Sequence, residues 1–454
     1  MNKVHYEALN ETVYTEVLDN GLQVVLIPKN KYSKTYGIFT TDFGSIDNQF
    51  IPINGDKEIK IPDGIAHFLE HKLFEGEVHD AFEDFAKYGA SANAFTSFTR
   101  TSYLFSATDN ITENTNSLLD FVQDPHFTAE GTEKEKGIIA QEIRMYEDNP
   151  GWQLFYGLLR NLYPEHPLSV DIAGTVDSIQ AITPELLQIC YDTFYHPSNM
   201  NILMIGNFSP EEMMDTIKQN QAGKTFLPAK PIQRTLPPAS VQDIIAYKEI
   251  EMDVQRPKVM LGVKGLDADV TGNQAEKYKI YGSLLLELLF GRSSSHFIEL
   301  YDSGLIDDSF GYSFNLDRSF HFMAVESDTE QPKLLEEKLK RILLEWETDD
   351  NLTNEKFDLL KKSMIGEQLQ AFNSLEYIAN HYSTLLFSGA ELFEVVPLIE
   401  ETSLEDIRRF AHGALKESRP STYGTASKGA TQRSRIRCCP EPTVTWDLAS
   451  PGTS

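Results

Sequence analysis

Cysteine is scarce in this chain. Its 454 residues include only three, Cys190 and the adjacent Cys438 and Cys439. Thiols so placed do not form a disulfide framework, and they fit a reducing compartment. The vicinal pair reads as inert rather than as a metal or redox site. Long apolar runs are missing too: no stretch reaches the ~18 residues of a membrane-spanning helix. The opening residues, Met1-Asn2-Lys3-Val4-His5-Tyr6-Glu7, lack the apolar centre of a secretion signal. The expectation is a cytoplasmic protein that does not enter membranes. Basic residues are also few, with 40 Lys and Arg against 68 Asp and Glu and a net charge of −28. Such a surface repels nucleic acid and anionic lipid but not neutral or basic peptides. What is present is ordinary for a globular protein, 41% hydrophobic and 24% charged, and long enough for two or more domains.

Against this background one cluster stands out: His67-Phe68-Leu69-Glu70-His71. On a helix, residues three and four apart share a face, so both imidazoles and the carboxylate project together. That is the requirement of a catalytic zinc site: two imidazole ligands and a carboxylate able to act on water. The order His-x-x-Glu-His inverts the commoner zincin motif. A solvated polar helix face is the competing reading. Ile65, Phe68, Leu69 and Leu73 supply an apolar stripe and Asp63-Gly64 a helix start, which argues for partial burial. Buried imidazoles and carboxylates need partners, and a metal is a natural one.

A third ligand is sought on the next acidic helix, Glu133 to Glu147, where Ile138, Ile139, Ile143 and Met145 mark apolar positions. Glu135 and Glu142 lie two turns apart on one face, with Glu142 expected to be the less exposed. Taken alone, a solvated acidic face explains this helix better.

With these residues the chain resembles the pitrilysin, insulinase and mitochondrial processing peptidase family of metallopeptidases. The resemblance extends through Ser91-Ala92-Asn93-Ala94-Phe95-Thr96 and Tyr195-His196-Pro197-Ser198-Asn199-Met200, and runs from about residue 12 to about residue 415. It implies that His67, His71 and Glu142 bind one Zn²⁺ per chain. It further implies that Glu70 is the general base, that Glu135 supports the site, and that Ser91, Ala92, Asn93, Ala94 and Phe95 pair with a substrate strand. Family members also donate to the oxyanion from a second half, through a tyrosine and an upstream arginine. Tyr312 matches the tyrosine, although it reads equally well as a core residue. The arginine has no match: residues 300–311 contain no Lys or Arg, Arg292 lies upstream and Arg318 downstream. The length resembles small bacterial insulinase-like proteases, in which one chain is one side of a clamshell, so a homodimer or a heterodimer with a related chain is implied.

Mixed strands and helices with grouped hairpins favour an α+β fold over a doubly wound sheet. Residues 1–222 read as the metal-binding domain, and the proline-rich 223–240 as a linker. Residues 241–415 repeat a similar order of elements, with Leu285 to Phe290 standing where the metal helix stands but holding no histidine pair. Periodicity vanishes beyond about 416, so residues 416–454 are expected to be a disordered tail. The implied activity is zinc-dependent hydrolysis of short unfolded peptides or a peptide precursor. The alternative is a non-catalytic or half-catalytic scaffold subunit of a peptidase pair.

Overall fold

The structure, a computed structural model, describes residues 1–76, 81–238, 240–267, 270–416 and 418–427. The first half is built on a seven-stranded sheet. Its strands run, from one edge to the other, Asn2–Tyr6, Glu11–Val17, Gln23–Pro28, Met200–Gly206, Thr35–Thr41, Thr101–Ala107 and Ser91–Thr96. The two central strands Gln23–Pro28 and Met200–Gly206 are apolar without alternation, as strands covered on both faces must be. They form the sheet's parallel pair, in the register Val25↔Leu203.

The second sheet runs Tyr247–Met252, Ser421–Ser427, Lys258–Lys264, Phe320–Asp328, Gly311–Asp317. Its order repeats that of the last five strands of the first sheet, including one parallel pair at the same place. The fold is α+β in two homologous halves, each a mainly antiparallel sheet packed with helices. The helix Gly272–Phe290 occupies the place of the metal-site helix and is buried along Leu284, Leu285, Leu288 and Leu289.

Each half lends a helix to the other. Pro150–Leu162, from the first half, packs on the second sheet: Gly157 lies under the Tyr423 ring, and Leu158 fills the space above Gly262. Asn161 Nδ2 donates to the Thr422 carbonyl at 3.1 Å, and Tyr163 donates its hydroxyl to the His321 carbonyl at 2.7 Å. In return Leu375–Ser388 covers the first sheet, and the Ser383 hydroxyl meets Asn201 Oδ1 at 2.6 Å and Thr40 Oγ1 at 2.8 Å. One continuous core therefore joins Val25, Ile38 and Leu203 of the first half to Ile378, Tyr382 and Phe393 of the second.

Two expectations change. The second domain does not stop at residue 415, because Ser421–Ser427 is an inner strand paired on both sides. Its small polar side chains hide it from periodicity, and ladder hydrogen bonds and helix contact hold it instead. Cys438 and Cys439 lie outside the described residues. The segment 223–240 is a tethered crossing: Gln233–Arg234 pairs with Phe50 and Ile51, and Arg234 carries ion pairs to Asp42 and Asp47. Among the described residues no single helix is long and apolar enough to cross a membrane.

Candidate metal centre and active site

The metal-site helix is Ile65–Phe74. It starts at Gly64, which has a φ of 90° and sits so close to Ala173 that a Cβ would lie 2.4 Å from its carbonyl oxygen. Only glycine meets both demands. Ile65, Phe68, Leu69 and Leu73 are buried in the first-half core, which turns His67, Glu70 and His71 toward the neighbouring helix. That neighbour, Ala129–Glu147, is capped by the Thr128 side chain, which accepts from the Gly131 amide. Ile139, Ala140 and Ile143 anchor it. Ile138 and Met145, read as apolar-face positions, are instead exposed. The order of exposure expected for the two glutamates is also reversed. The Glu135 side chain is 11% exposed and that of Glu142 25%, because Glu135 lies under His71 while Glu142 faces the opening.

Three donor groups converge. Glu142 Oε1 lies 3.7 Å from His67 Nε2, and its Oε2 lies 3.7 Å from His71 Nε2. One atom from each of the three falls within 4.8 Å of the others. A tetrahedral zinc with bonds of about 2.0–2.2 Å sets its ligand atoms roughly 3.4 Å apart, so His67, His71 and Glu142 fit a metal with side-chain adjustment alone. His71 Nδ1 lies 2.9 Å from Glu135 Oε1. This contact places the proton on Nδ1 and leaves the Nε2 lone pair facing the other donors. His67 Nδ1 is buried and has no protein partner among the described residues.

The protonation states follow from burial and neighbours. Burial, and then the adjacent His71, lowers the His67 pKa to about 3, so its imidazole stays neutral and able to ligate. Burial alone would also lower His71. The Glu135 hydrogen bond and the charges of Glu70, Glu135 and Glu142 outweigh it and hold His71 above its usual range. Burial raises Glu70 despite the Thr96 hydrogen bond, and burial also raises Glu142.

Glu70 is 8% exposed. Thr96, at the end of the edge strand, donates its hydroxyl to Glu70 Oε2 at 2.7 Å. The edge strand Ser91–Thr96 pairs on one side only, from Ser91↔Ser106 to Thr96↔Thr101. Ala92 and Ala94 pack toward the core beneath the metal-site helix, whereas Phe95 turns toward the second half. Ser91 and Asn93 are exposed. Asn93 Oδ1 accepts from the Ala94 amide at 2.9 Å, a local cap that an incoming strand would displace.

Tyr312 does not join this group. Its hydroxyl donates to Glu287 Oε2, and burial together with Glu287 pushes its pKa up. Of the two flanking arginines, only Arg318 is engaged elsewhere. Arg292 is exposed, while Arg318 is spent on a clamp between the halves. In that clamp Arg318 Nη1 and Nη2 lie 2.9 and 3.0 Å from the two Asp47 oxygens, and Nη2 lies 3.3 Å from Asp42 Oδ1. Sequence reasoning missed Thr96 as a site residue and missed the clamp entirely. Strand parity could have found the first, since Thr96 shares the face of Ala92 and Ala94. Nothing local marks the second.

The first-half residues 57–176 match the family model described as Insulinase (Peptidase family M16), and residues 181–364 match that described as Peptidase M16 inactive domain. The uncharacterized zinc protease YmfH of Bacillus subtilis (strain 168) is 47% identical over 405 residues, 89% of this chain and 94% of that protein. The chain belongs to the insulinase family of peptidases, M16. Within this M16 family, the uncharacterized zinc protease YmxG of the same organism is 26% identical over 78% of this chain and 86% of its own length. Among solved structures, an M16-like peptidase from Alicyclobacillus acidocaldarius superposes with a TM-score of 0.88 at 35% identity, covering 92% of this chain and 99% of that one. A protease from Helicobacter pylori shares the fold, with a TM-score of 0.76 at 20% identity over 91% of this chain and 99% of that one.

Proposed function

We propose that this M16 chain is a zinc-dependent endopeptidase that hydrolyses short unfolded peptides or a peptide precursor. The observation that carries the reading is the convergence of His67, His71 and Glu142 beside a buried Glu70 and a free sheet edge. Zinc held by these three side chains would polarise the scissile carbonyl and bring the pKa of water toward ~7. Glu70 takes a proton from the attacking water and returns it to the leaving amine. Thr96 fixes one Glu70 oxygen, and among the described residues no hydrogen bond reaches the other, which is left for the water. Glu135 keeps the His71 proton on Nδ1. The peptide backbone adds to Ser91–Thr96 as a further strand, so recognition reads main chain more than side chain.

A second reading has its own support. Tyr312 is bound to Glu287 and Arg318 is held by Asp42 and Asp47, so neither is turned to the oxyanion as a donor. A related chain, or a second copy, would then provide it across the clamshell. The test is zinc content together with cleavage of a quenched peptide, alone and with candidate partners. Glu70→Gln should keep about one zinc per chain and lose roughly 10²-fold or more in rate. Zinc retained in full by the double variant His67→Ala, His71→Ala would rule out the site.

A further inference from the structure

A cavity of about 650 Å³ opens between the two halves, and none of His67, Glu70, His71 or Glu142 lines it. Its walls include Phe314, Phe322, Met364, Leu392 and Ile399. Arg100 reaches it from the first half, on the hairpin that also carries Thr96 against Glu70.

Arg100 is unusual. Its guanidinium lies over the Phe95 ring at 5.6 Å, yet among the described residues it makes no side-chain hydrogen bond or ion pair. The other charged groups lining the cavity have contacts of their own, although the Asp317 charge still acts on Arg100 from beyond hydrogen-bond reach. Lys279 holds Glu276 at 2.8 Å. Asp317 accepts from the Thr99 hydroxyl and the Arg318 amide, both at 2.7 Å. His381 donates to the Tyr377 carbonyl, and burial with Arg100 and Lys279 nearby keeps it neutral. An unpaired guanidinium against aromatic and aliphatic walls is costly unless a ligand supplies the anion. Arginine presents a planar fork that matches a carboxylate, and the volume is that of a small-ligand pocket.

We infer that this cavity is a substrate anchor: Arg100 pairs with a carboxylate of the peptide, and the walls take the apolar side chain beside it. The carboxylate is either the peptide's C-terminus or an acidic side chain. The inference rests on the peptidase reading and turns it from a sequence-blind edge strand into an enzyme with a charge preference.

Binding is measured with the zinc-loaded Glu70→Gln protein, which does not turn substrate over, by fluorescence anisotropy. Three versions of one labelled peptide are compared: a free acid with an internal glutamate and an apolar last residue, its C-terminal amide, and its Glu→Gln form. One of the two neutralised peptides should bind about tenfold more weakly or worse, and it identifies the carboxylate source. Adding Arg100→Gln should abolish that difference, and Arg100→Lys should retain part of it. Equal binding of all three peptides, no binding at all, or a difference that survives Arg100→Gln overturns the anchor. If Arg100→Gln does not fold, the three peptides on the unaltered cavity still decide. Hydrolysis by the wild-type chain is scored separately. Charge-selective binding without cleavage defeats the peptidase reading and leaves the anchor, and cleavage without charge preference does the reverse.

Discussion

Replacing Arg318 by leucine tests whether the two halves are held by charge as well as by their shared core. Arg318 sits in the tight turn between Gly311–Asp317 and Phe320–Asp328, and its fork grips Asp47 and Asp42 of the first half. The Asp47 side chain is fully buried at 0% exposure, and that of Arg318 is 29% exposed. Removing one partner of a buried pair costs about 3–5 kcal/mol when the other charge is stranded. Asp47 is not wholly stranded. The Gly44 amide still donates to it at 2.9 Å, and Arg234 Nε lies 2.9 Å away, although not aligned for a hydrogen bond. The expected loss is therefore somewhat below that range, about 2–3 kcal/mol. Urea unfolding of the full chain, for Arg318→Leu, Asp47→Asn and the double variant, gives both the loss and a coupling of about 1–2 kcal/mol. Burial already raises the Asp42 pKa against the pull of Arg318 and Arg234. The penalty should thus shrink as pH falls through the carboxylate range and Asp42 takes up a proton. A loss below ~0.5 kcal/mol, or simple additivity in the double variant, would refute the clamp.

Thr96→Val should move the acidic limb of kcat/KM upward, since Glu70 must be ionised to act and loses the donor that lowers its pKa; an unmoved limb removes Thr96 from the mechanism. Glu135→Gln should weaken zinc affinity by roughly 10–100-fold and Glu142→Gln by more, as equilibrium dialysis would show; the reverse order would exchange their roles. Gly64→Ala should cost more than ~1 kcal/mol in a thermal melt, through its positive φ and the Ala173 contact, and tolerance would mean that the helix start can shift. Residues 1–222 and 241–427, expressed apart, should each be poorly soluble and regain solubility when co-expressed; a soluble, fully active first half would refute the shared core.

The local parts of this fold were legible and the reciprocal parts were not. The metal-site helix Ile65–Phe74 and the acidic helix Ala129–Glu147 match their reading from sequence, the first opening at Asp63-Gly64 and the second closing at Glu147. The metal group was legible because helical geometry fixes how His67, Glu70 and His71 project. Glu142 came from resemblance, and the contact with the facing helix is what supplies it. Pro150–Leu162 was overlooked although Asn149 caps it and Pro150 opens it, because its apolar face is satisfied by a sheet formed hundreds of residues away. Ser421–Ser427 was lost for the same reason: Thr422 and Tyr423 make sense only against Asn161 and Gly157. Arg318 with Asp42 and Asp47 is a purely tertiary object.

The exchange of helices also sets a schedule for biosynthesis. The ribosome has delivered both histidines and Glu142 early, yet the first sheet waits for Leu375–Ser388 before its second face is covered. At about 5–20 residues per second, that interval lasts on the order of ten seconds or more. During it the nascent chain leaves uncovered the apolar sheet face that Leu375–Ser388 will bury. The ligand set is thus complete in the chain long before the helix that covers its own sheet has been made.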